Sequence, residues 1–384
     1  MAARDMGAGN GGSNDLILIT GGAGFVGSHL ADELLALGYR VRALDNLSEQ
    51  VHGDSASRPE YLHEDVELVR GDVRDPAAVR RALQGVDAVY HFAAAVGVGQ
   101  SMYEIERYTD VNNRGTAVLL EALVAAPVSR LVVASSMDVY GEGLYMDAAG
   151  NAVTPPERQM DQLLRGDWEL HGDDGRVLRP LPTPESKPTS PSSIYALSKL
   201  DQERMCLLIG QAYGIPTVAL RFFNIYGPRQ ALSNPYTGVL AIFAARYLNR
   251  HAPLVFEDGR QRRDFVNVRD VAQACVLALQ TPAAAGQALN IGSGESFSIV
   301  EVAEQLAQAL GIDDLAPEIT GKYRTGDIRH CFADISLARE VLDYRPKISL
   351  ADGLETLVDW MLGQRAFDRV EAARAELELR GLQR

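Results

Sequence analysis

The stretch Leu16-Ile-Leu-Ile-Thr-Gly-Gly-Ala-Gly-Phe-Val-Gly27 decides the fold of this chain. It joins an apolar run of strand length to a glycine cluster, and leucines recur on one face of the helix predicted at 25–37. At a strand-to-helix turn, Gly21 permits the tight bend, Gly24 lets the backbone approach a pyrophosphate, and Gly27 allows close helix packing. The N–H groups and the dipole of such a helix favour a diphosphate, so the stretch predicts a dinucleotide site.

Apolar segments of strand length alternate with helical patterns beyond this turn. Strands are predicted at 16–20, 41–45, 66–70, 88–92, 131–135 and 217–221, and helices at 25–37, 76–83 and 112–124. Because these strands are apolar along their length, they predict a doubly wound parallel sheet buried on both faces, the Rossmann type of α/β fold. Such sheets bind ligands beyond the carboxyl ends of their strands.

The regular alternation breaks in two places. Residues 141–195 are rich in proline and too long for an ordinary connection, which predicts a functional loop or a small lid. After Gly227 the pattern becomes irregular and indicates a smaller α/β lobe. We therefore expect a flexible tail at 1–14, a Rossmann domain at 15–229 with an insertion at 142–190, and a substrate lobe at 230–384. Residues 367–384 are expected to form a surface helix at the end of that lobe.

The composition excludes several classes of function. The 384 residues include 37 Lys and Arg and 51 Asp and Glu, a formal net charge of −14. This charge disfavours nucleic acid as the main partner, because a phosphate backbone needs a clustered basic face. The three cysteines lie far apart, so neither a disulfide framework nor a metal site is expected. No apolar run reaches the length of a membrane span, and we expect a cytoplasmic enzyme without membrane contact.

Two acidic residues bear on the choice of dinucleotide. Asp45 ends the second predicted strand, where a carboxylate accepts hydrogen bonds from an adenosine ribose and repels a 2′-phosphate. No basic residue follows within 46–50, so NAD is favoured over NADP. Asp72 comes just after the third predicted strand and is a candidate for binding the adenine amino group. The alternative for Asp72 is that it caps the helix that begins at Pro76.

Tyr195 and Lys199 lie four residues apart, on one face of a predicted helix. Ionising a tyrosine at pH 7 costs about 4 kcal/mol. A lysine ammonium about 4 Å away supplies a similar amount at an effective dielectric near 20. Lys199, together with the positive charge of a nicotinamide, is therefore expected to make Tyr195 a base.

Ser136 and Asp138 follow the fifth predicted strand and, by strand alternation, would share one face of it while Met137 points away. Ser136 is expected to hydrogen-bond a substrate hydroxyl or a developing carbonyl oxygen. The alternative for both residues is a role in hydrogen bonding at the end of the strand.

Four motifs occur together in this chain: Thr20–Gly27, Ser135–Gly141, Tyr195–Lys199 and Arg221–Arg229. Their combination resembles the extended short-chain dehydrogenase/reductase family, which includes nucleotide-sugar epimerases and dehydratases. The resemblance implies a Rossmann domain that holds NAD and a smaller lobe that holds a nucleotide diphosphate-sugar. It also implies that Tyr195 is the base, that Lys199 orients the nicotinamide ribose and that Ser136 assists.

Motifs and resemblance together define the expected site, in which Ser136, Asp138, Tyr195 and Lys199 are catalytic. The expected cofactor-binding residues are Gly21, Gly24, Phe25, Val26, Gly27, Asp45, Asn46, Asp72, Val73, Phe92, Ala93, Ala94, Asn112, Tyr195, Lys199 and Phe222. The expected substrate-binding residues are Ser136, Asn224, Arg263, Arg324 and Asp327. A guanidinium suits phosphate because its planar fork binds two oxygens at once, although a surface ion pair is the alternative for each arginine.

The resemblance also bears on the reaction. Dehydratases of the family carry Asp-Glu before the Val-Tyr-Gly, where this chain has Met137 and Asp138, which counts against dehydration. A 4-epimerase needs only a 4-keto sugar that rotates and accepts the hydride on its other face. Parts of the insertion and the stretch 232–238 resemble the dTDP-L-rhamnose 4-epimerase branch. A Cys-x-x-Cys of related proteins is replaced by residues 170–175, which contain no cysteine, so no metal is implied.

The sequence therefore predicts an NAD-dependent 4-epimerase of dTDP-L-rhamnose or of a related dTDP- or UDP-hexose. Decarboxylases of UDP-glucuronate carry an acid where this chain has Asp138, which leaves a UDP-uronic acid epimerase or decarboxylase open. A 4-ketoreductase and a non-catalytic dinucleotide sensor are further alternatives. The resemblance also implies a homodimer formed through helices near 112–124 and 195–213.

Overall fold

The computed structural model describes residues 14–53, 57–236, 238–324, 326–364 and 368–384. The tail expected at 1–14 therefore lies outside the described residues except for Asn14. In chain order, the strands β1 to β17 are Leu16–Thr20, Arg40–Asp45, Glu67–Arg70, Ala88–His91, Arg130–Ser136, Leu144–Met146, Ala152–Val153, Arg179–Leu181, Thr217–Phe222, Asn224–Tyr226, Leu254–Val255, Arg262–Arg263, Phe265–Asn267, Ala288–Ile291, Phe297–Ser298, Glu318–Ile319 and His330–Cys331.

Helices lie between these strands. In chain order, the α-helices α1 to α14 are Phe25–Ala36, Glu49–His52, Pro76–Ala82, Val98–Ser101, Ile105–Tyr108, Gly115–Ala125, Met160–Leu164, Ile194–Tyr213, Val239–Leu248, Val268–Gln280, Ile299–Ala309, Ser336–Leu342, Leu350–Met361 and Val370–Leu379. A π-helical turn at Thr109–Arg114 leads into α6, and short 3₁₀ helices occupy Met137–Tyr140 and Pro282–Ala284.

The central sheet has seven parallel strands in the order β14-β9-β5-β4-β1-β2-β3. The strand β1 lies inside the sheet, where Ile17 pairs with Val41 on one side and Ala88 on the other. The order reverses between β1 and β4, and this reversal creates the crevice in which doubly wound sheets bind ligands. The predicted doubly wound α/β fold is confirmed.

Helices cover both faces of the sheet. Leu30 of α1 and Cys275 of α10 are buried in the apolar cluster on one face. Leu119 of α6 and Cys206 of α8 are buried in the cluster on the other face. Because both faces are covered, the strands are apolar along their length, and this is why the sequence identified them.

The seventh strand of the sheet comes from a part of the chain beyond the boundary expected at 229. Residues Ala288–Ile291 form β14, which pairs with β9, and α10 packs against α1. The irregular pattern after Gly227 therefore hides one strand and one helix of the Rossmann unit. The division into domains at 15–229 and 230–384 remains a prediction. The structure differs from it mainly in that β14, which lies beyond residue 229, belongs to the central sheet.

The second lobe has its own apolar core, to which α9, α11 and α13 contribute Phe243, Leu306 and Leu357. Its strands form small sheets, β10 with β13, β11 with β16, and β12 between β15 and β17. The sheet β15-β12-β17 matters most for the site. Its strand β12 carries Arg263, and its strand β17 directly follows residues 326–328 of the cavity wall.

The insertion expected at 142–190 folds as a small antiparallel sheet, β7-β6-β8, with the short helix α7. Tyr145, Leu170 and Leu178 form its buried core. Buried charges join it to the second lobe: Arg158 donates to Glu257 at 2.7 Å and to the backbone carbonyl of Asp327 at 2.9 Å. The insertion therefore supports the segment that carries Asp327.

Candidate active site

A cavity of about 840 Å³ lies at the carboxyl ends of the central strands. Its walls come from the turn between β1 and α1, the ends of β2 to β5, the start of α8, the second lobe and α14. Every expected site residue lines this cavity except Asn112. The expected cofactor residues and substrate residues thus face one continuous space.

The turn after β1 has the shape that a diphosphate requires. Gly21 has a φ of +72°, and a Cβ on it would lie 2.9 Å from the backbone nitrogen of Ala93. A Cβ on Gly27 would lie 2.4 Å from the carbonyl oxygen of Gly21. The helix α1 begins after Gly24 without a side-chain cap, so its first N–H groups and its positive end are available to the pyrophosphate. The residues of this turn fit NAD.

Asp45 is held in a defined orientation at the end of β2. Its Oδ2 accepts a hydrogen bond of 3.0 Å from the backbone nitrogen of Ala23, and its Oδ1 accepts one of 2.9 Å from that of Leu47. The side chain is buried and lines the cavity. A fixed carboxylate at this point matches the requirement for binding an adenosine ribose.

Asp72 lies beside Asp45 in the wall, but its charge is already neutralised. Arg74 donates to Oδ1 at 2.9 Å and to Oδ2 at 2.8 Å, and Asn46 donates to Oδ2 at 3.1 Å. The hydrogen bonds from Arg74 lower the pKa of Asp72 to about 2. The helix-cap alternative for Asp72 is wrong, because Asp75 caps α3 by accepting from the backbone nitrogen of Ala77.

Arg74 is a basic residue of the wall that motif spacing did not indicate, and it pairs with Asp110 at 2.6 Å. It lies beyond the stretch 46–50, which contains no basic residue. Its guanidinium is shared between two carboxylates, so it is engaged within the protein.

The expected role of Asn112 at the cofactor is corrected by the structure. Its side chain is fully buried, and its Oδ1 accepts from the backbone nitrogen of Ala95 at 2.7 Å. Its Nδ2 donates to the carbonyl of Ala95 at 3.1 Å and to Ser198 Oγ at 2.8 Å. Asn112 therefore ties the loop after β4 to α8 from behind, while Phe92, Ala93 and Ala94 form the surface of the cavity.

The catalytic candidates meet where β5 ends and α8 begins. The strand ends at Ser136 and the chain turns into a 3₁₀ helix, so Ser136 and Asp138 do not come together by strand alternation as expected. The turn instead brings Asp138 back, and the Ser136 hydroxyl donates to its Oδ2 at 3.0 Å. Ser136 also lines the cavity with Tyr195 and acts to lower the pKa of that phenol. Met137 is buried in the apolar core.

Burial changes the proton affinities of these groups. Burial raises the pKa of Tyr195, and the Asp138 charge raises it further. Ser136 has the opposite effect and lowers the pKa of Tyr195. Burial also lowers the pKa of Lys199 to about 8 and raises that of Asp138. The expectation that Lys199 and the positive charge of a nicotinamide together make Tyr195 a base stays a prediction, because these shifts come from the protein's own groups alone. Lys199 donates to Gln202 Oε1 at 2.8 Å on the same helix.

The arginines of the second lobe have two different roles. Arg263 donates to the carbonyl oxygens of Arg262 at 2.9 Å, Arg329 at 3.0 Å and Ile328, so part of its guanidinium fixes the cavity wall. Arg324 donates through Nε to Asp327 Oδ2 at 3.0 Å, and its guanidinium lies 4.6 Å from the centre of the Phe256 ring. Arg324 is about one-third exposed and presents a cation to the cavity.

Other residues of the wall were missed by sequence reasoning. Phe256, Gln230 and Gln261 line the cavity from the second lobe. The helix α14, expected only at the surface, also lines it through Val370, Ala373, Arg374 and Leu377. The periodic apolar residues of this helix were visible in the sequence, but nothing local indicated what they would cover.

Unpartnered polar atoms indicate where a ligand is expected to bind. Among the described residues, Asn224 Oδ1 is buried without a hydrogen-bond partner, and Asn224 lines the cavity. A buried amide oxygen without a partner is unfavourable unless a ligand supplies a donor.

The described part of the chain holds no cluster of three or more His, Cys, Asp or Glu side chains placed to bind a metal ion. Within the same part, no helix combines the length and the apolar character that a membrane span requires.

Comparisons with known proteins agree with this geometry. The dTDP-L-rhamnose 4-epimerase of Burkholderia thailandensis is 37% identical over 349 residues, 90% of this chain and 94% of that protein. A UDP-N-acetyl-alpha-D-glucosaminuronate decarboxylase of Bacillus cytotoxicus is 30% identical over 89% of this chain and 96% of its own length. The crystal structure of Thermus thermophilus UDP-glucose 4-epimerase in complex with NAD is also similar, with a TM-score of 0.72 and 32% identity. The structural match covers 91% of this chain and the whole of the Thermus thermophilus chain.

The model of the NAD dependent epimerase/dehydratase family matches residues 17–160 and 170–292, more than half of the chain. The matched residues include the glycine turn, the end of β5, the Tyr195–Lys199 pair and Arg263, which the structure gathers around one cavity. This chain belongs to the NAD-dependent epimerase/dehydratase family.

Proposed function

We propose that this enzyme is a nucleotide-sugar 4-epimerase that converts dTDP-L-rhamnose, or a related dTDP- or UDP-hexose, through a transient 4-keto sugar. The observation that carries the proposal is that Tyr195 and Ser136 line the same cavity as the dinucleotide turn and Arg324. The similarity to the Burkholderia thailandensis enzyme supports the choice of sugar.

Tyr195 removes the proton of the sugar C4 hydroxyl in this mechanism, and Ser136 hydrogen-bonds the same oxygen as it becomes a carbonyl. Bound NAD, held by the glycine turn and Asp45, would supply the reversible hydride acceptor that this oxidation at C4 requires. Tyr195 then gives the proton back to the C4 oxygen, so the reaction has no net redox change. Lys199, charged below its pKa of about 8, orients the nicotinamide ribose and favours the tyrosinate.

The sugar must turn over between the two hydride steps while its nucleotide stays bound. Arg324 and Asn224 are suited to hold the diphosphate and ribose, because one presents a partly exposed cation and the other an unpartnered amide. Arg263 is suited to shape this end of the cavity and to present its remaining donors to phosphate.

The position of Met137 favours epimerisation over dehydration. Its side chain is buried in the apolar core, so an acid at the dehydratase position is replaced by a thioether. Removal of water across C5 and C6 needs a proton donor for the departing hydroxyl, which Met137 is unable to provide.

Asp138 favours a second candidate, a UDP-uronic acid epimerase or decarboxylase. Its carboxyl group lies beside Ser136 and influences the pKa of Tyr195, and the Bacillus cytotoxicus relative is named as a decarboxylase of a UDP-uronic acid. In its protonated form, Asp138 is able to donate a hydrogen bond to a C6 carboxylate.

Product analysis separates these candidates. The enzyme with bound NAD is incubated with dTDP-L-rhamnose, UDP-glucose and UDP-glucuronate, and the sugars are followed by NMR. A C4 epimer formed without added reductant supports the proposal. Release of carbon dioxide identifies the decarboxylase instead, and a stoichiometric need for NADH identifies a 4-ketoreductase. Retention of NAD with no turnover of any sugar identifies a dinucleotide sensor.

We also propose a homodimer formed through α6 and α8. Leu197 and Leu208 of α8 are 45% and 63% exposed, which leaves apolar surface on that helix. Light scattering is expected to give twice the mass of the chain, and Leu208→Asp is expected to give the monomer. We place the enzyme in the cytoplasm, a proposal supported by its three free, buried cysteines and tested by cell fractionation.

A further inference from the structure

Residues 368–384 connect the two sides of the cavity. On the second lobe, Glu378 pairs with Lys322 at 2.6 Å, and the backbones of Tyr323 and Arg384 exchange hydrogen bonds of 2.9 and 3.1 Å. On the side of the sheet, the Arg380 guanidinium lies 4.3 Å from the centre of the Tyr103 ring. The segment therefore forms a wall across the cavity and is positioned to contact whatever the cavity holds.

Gln383 is the polar residue of this wall that lacks a partner. Its side chain is 4% exposed and lines the cavity, and its Oε1 has no hydrogen-bond partner among the described residues. Its Nε2 donates weakly to Glu378 at 3.4 Å, which assigns the amide nitrogen to the protein and leaves the oxygen for another group. A buried acceptor without a donor is unfavourable, so the site favours a ligand that carries an N–H or O–H group.

The neighbours of Gln383 indicate which part of the ligand carries that donor. Gln383 is bridged through its backbone to Arg324, whose guanidinium lies over the Phe256 ring. A cation, an aromatic ring and an amide oxygen thus occupy one end of the cavity. Phosphate oxygens accept hydrogen bonds and do not donate them at neutral pH, whereas a nucleoside offers ribose hydroxyls, and uracil or thymine also offers a base N3–H.

We propose that Gln383 is a specificity-determining residue whose Oε1 accepts a hydrogen bond from the nucleoside half of the substrate. The proposal rests on the nucleotide-sugar function proposed above and adds a contact from residues outside the range that the family model matches. The donor is either the N3–H of a pyrimidine base or a ribose hydroxyl, and each of these groups donates a hydrogen bond to an amide oxygen.

Calorimetry on the enzyme with bound NAD tests this contact without turnover. The probes are UDP, dTDP and CDP, and the variants are Gln383→Leu, which removes the acceptor, and Gln383→Glu, which keeps it. A neutral hydrogen bond corresponds to a loss of roughly 3- to 10-fold in affinity for Gln383→Leu. Leu379→Ala is the matched control, because Leu379 lies on α14 and is 84% exposed.

The three nucleotides identify the donor. A loss with UDP and dTDP but not with CDP identifies the base N3–H, which cytosine lacks. A loss with UDP and CDP alone identifies the ribose 2′-hydroxyl, and an equal loss with all three identifies the 3′-hydroxyl. In steady-state kinetics the substitution is expected to raise KM by the same factor and to leave kcat within about twofold, because a contact with the nucleoside is made equally in the ground state and the transition state.

Affinities of Gln383→Leu equal to those of the unchanged enzyme for all three nucleotides would overturn the proposal. So would an equal loss for Leu379→Ala, since the effect would then belong to the helix as a whole. If both Gln383 variants unfold, the same comparison is made with Gln383→Met, which keeps the length of the side chain without its acceptor. An enzyme that binds none of the nucleotides before substitution would instead contradict the proposed function, and this inference with it.

Discussion

The Ser136 hydroxyl donates a hydrogen bond of 3.0 Å to Oδ2 of Asp138. The two hydrogen-bonded groups act in opposite directions on the proposed base, because the Asp138 charge raises the pKa of Tyr195 and Ser136 lowers it. The protonation of Tyr195 therefore depends on a residue that takes no proton from the sugar.

Asp138→Asn is expected to lower the pKa of Tyr195, because the substitution removes a negative charge that disfavours the tyrosinate. The rising limb of kcat against pH then moves to lower pH. The measurement is the pH profile of epimerisation, with Asp173→Asn, a substitution on an exposed turn of the insertion, as the control. A limb that stays in place or moves to higher pH would show that Asp138 does not act on Tyr195.

Tyr195→Phe is expected to lower turnover by about 10²- to 10⁴-fold, because the C4 hydroxyl loses its general base. The NAD content is expected to stay unchanged, since the glycine turn and Asp45 are untouched. Turnover is followed by NMR and bound NAD by chromatography after denaturation. Tyr213→Phe, at the exposed end of the same helix, is the control with full activity expected. Full activity of Tyr195→Phe would refute the catalytic assignment.

Asp72→Asn is expected to reduce the free energy of unfolding of the NAD-free protein at pH 6 by about 1 to 2 kcal/mol. The pKa of Asp72 is about 2 in the folded state, below its ordinary value of 3.8, because of Arg74. Its stabilising effect is therefore present above about pH 4 and is lost as the pH falls through about 2. Urea unfolding at several pH values measures the difference, and Asp65→Asn, at an exposed site, is the control. A difference independent of pH would contradict this explanation.

Arg158→Met is expected to reduce the free energy of unfolding by about 3 kcal/mol, because it removes a partner from the buried Glu257 carboxylate. Arg165→Met is the matched control in the same insertion: its pair with Asp161 is well exposed, and its loss is expected to cost less than about 1 kcal/mol. Arg158→Met is also expected to raise KM, since Arg158 supports the carbonyl of Asp327. Equal effects of the two substitutions would contradict the role assigned to the buried pair.

The central strands were predictable because they are buried on both faces and read as apolar runs. The strands at 16–20 and 217–221 were predicted to within one residue of the observed ones. The strand Ala288–Ile291 was missed because it has four residues and Asn290 interrupts its apolar run, so pairing with β9 is what defines it. Long-range pairing of this kind has no local signature in the sequence.

The site residues at the ends of the central strands were predictable from motif spacing, since the carboxyl ends of parallel strands converge. Three findings were not. The 3₁₀ turn after Ser136 depends on how the chain leaves β5, and the position of Asn112 behind the wall depends on the packing of α8. The contact of α14 with the cavity joins residues far apart in the chain, such as Lys322 and Glu378, which no periodicity reveals.

The return of the chain to the central sheet has a consequence for how the protein is made. The strand β9 ends at Phe222, but its neighbour β14 begins only at Ala288. During synthesis, one edge of the sheet therefore stays unpaired while the intervening residues of the second lobe emerge, a delay of about 3 to 13 seconds at 5 to 20 residues per second. Exposed strand edges promote aggregation. Residues beyond 229 thus complete the central sheet, and a fragment that stops at residue 229 is expected to aggregate.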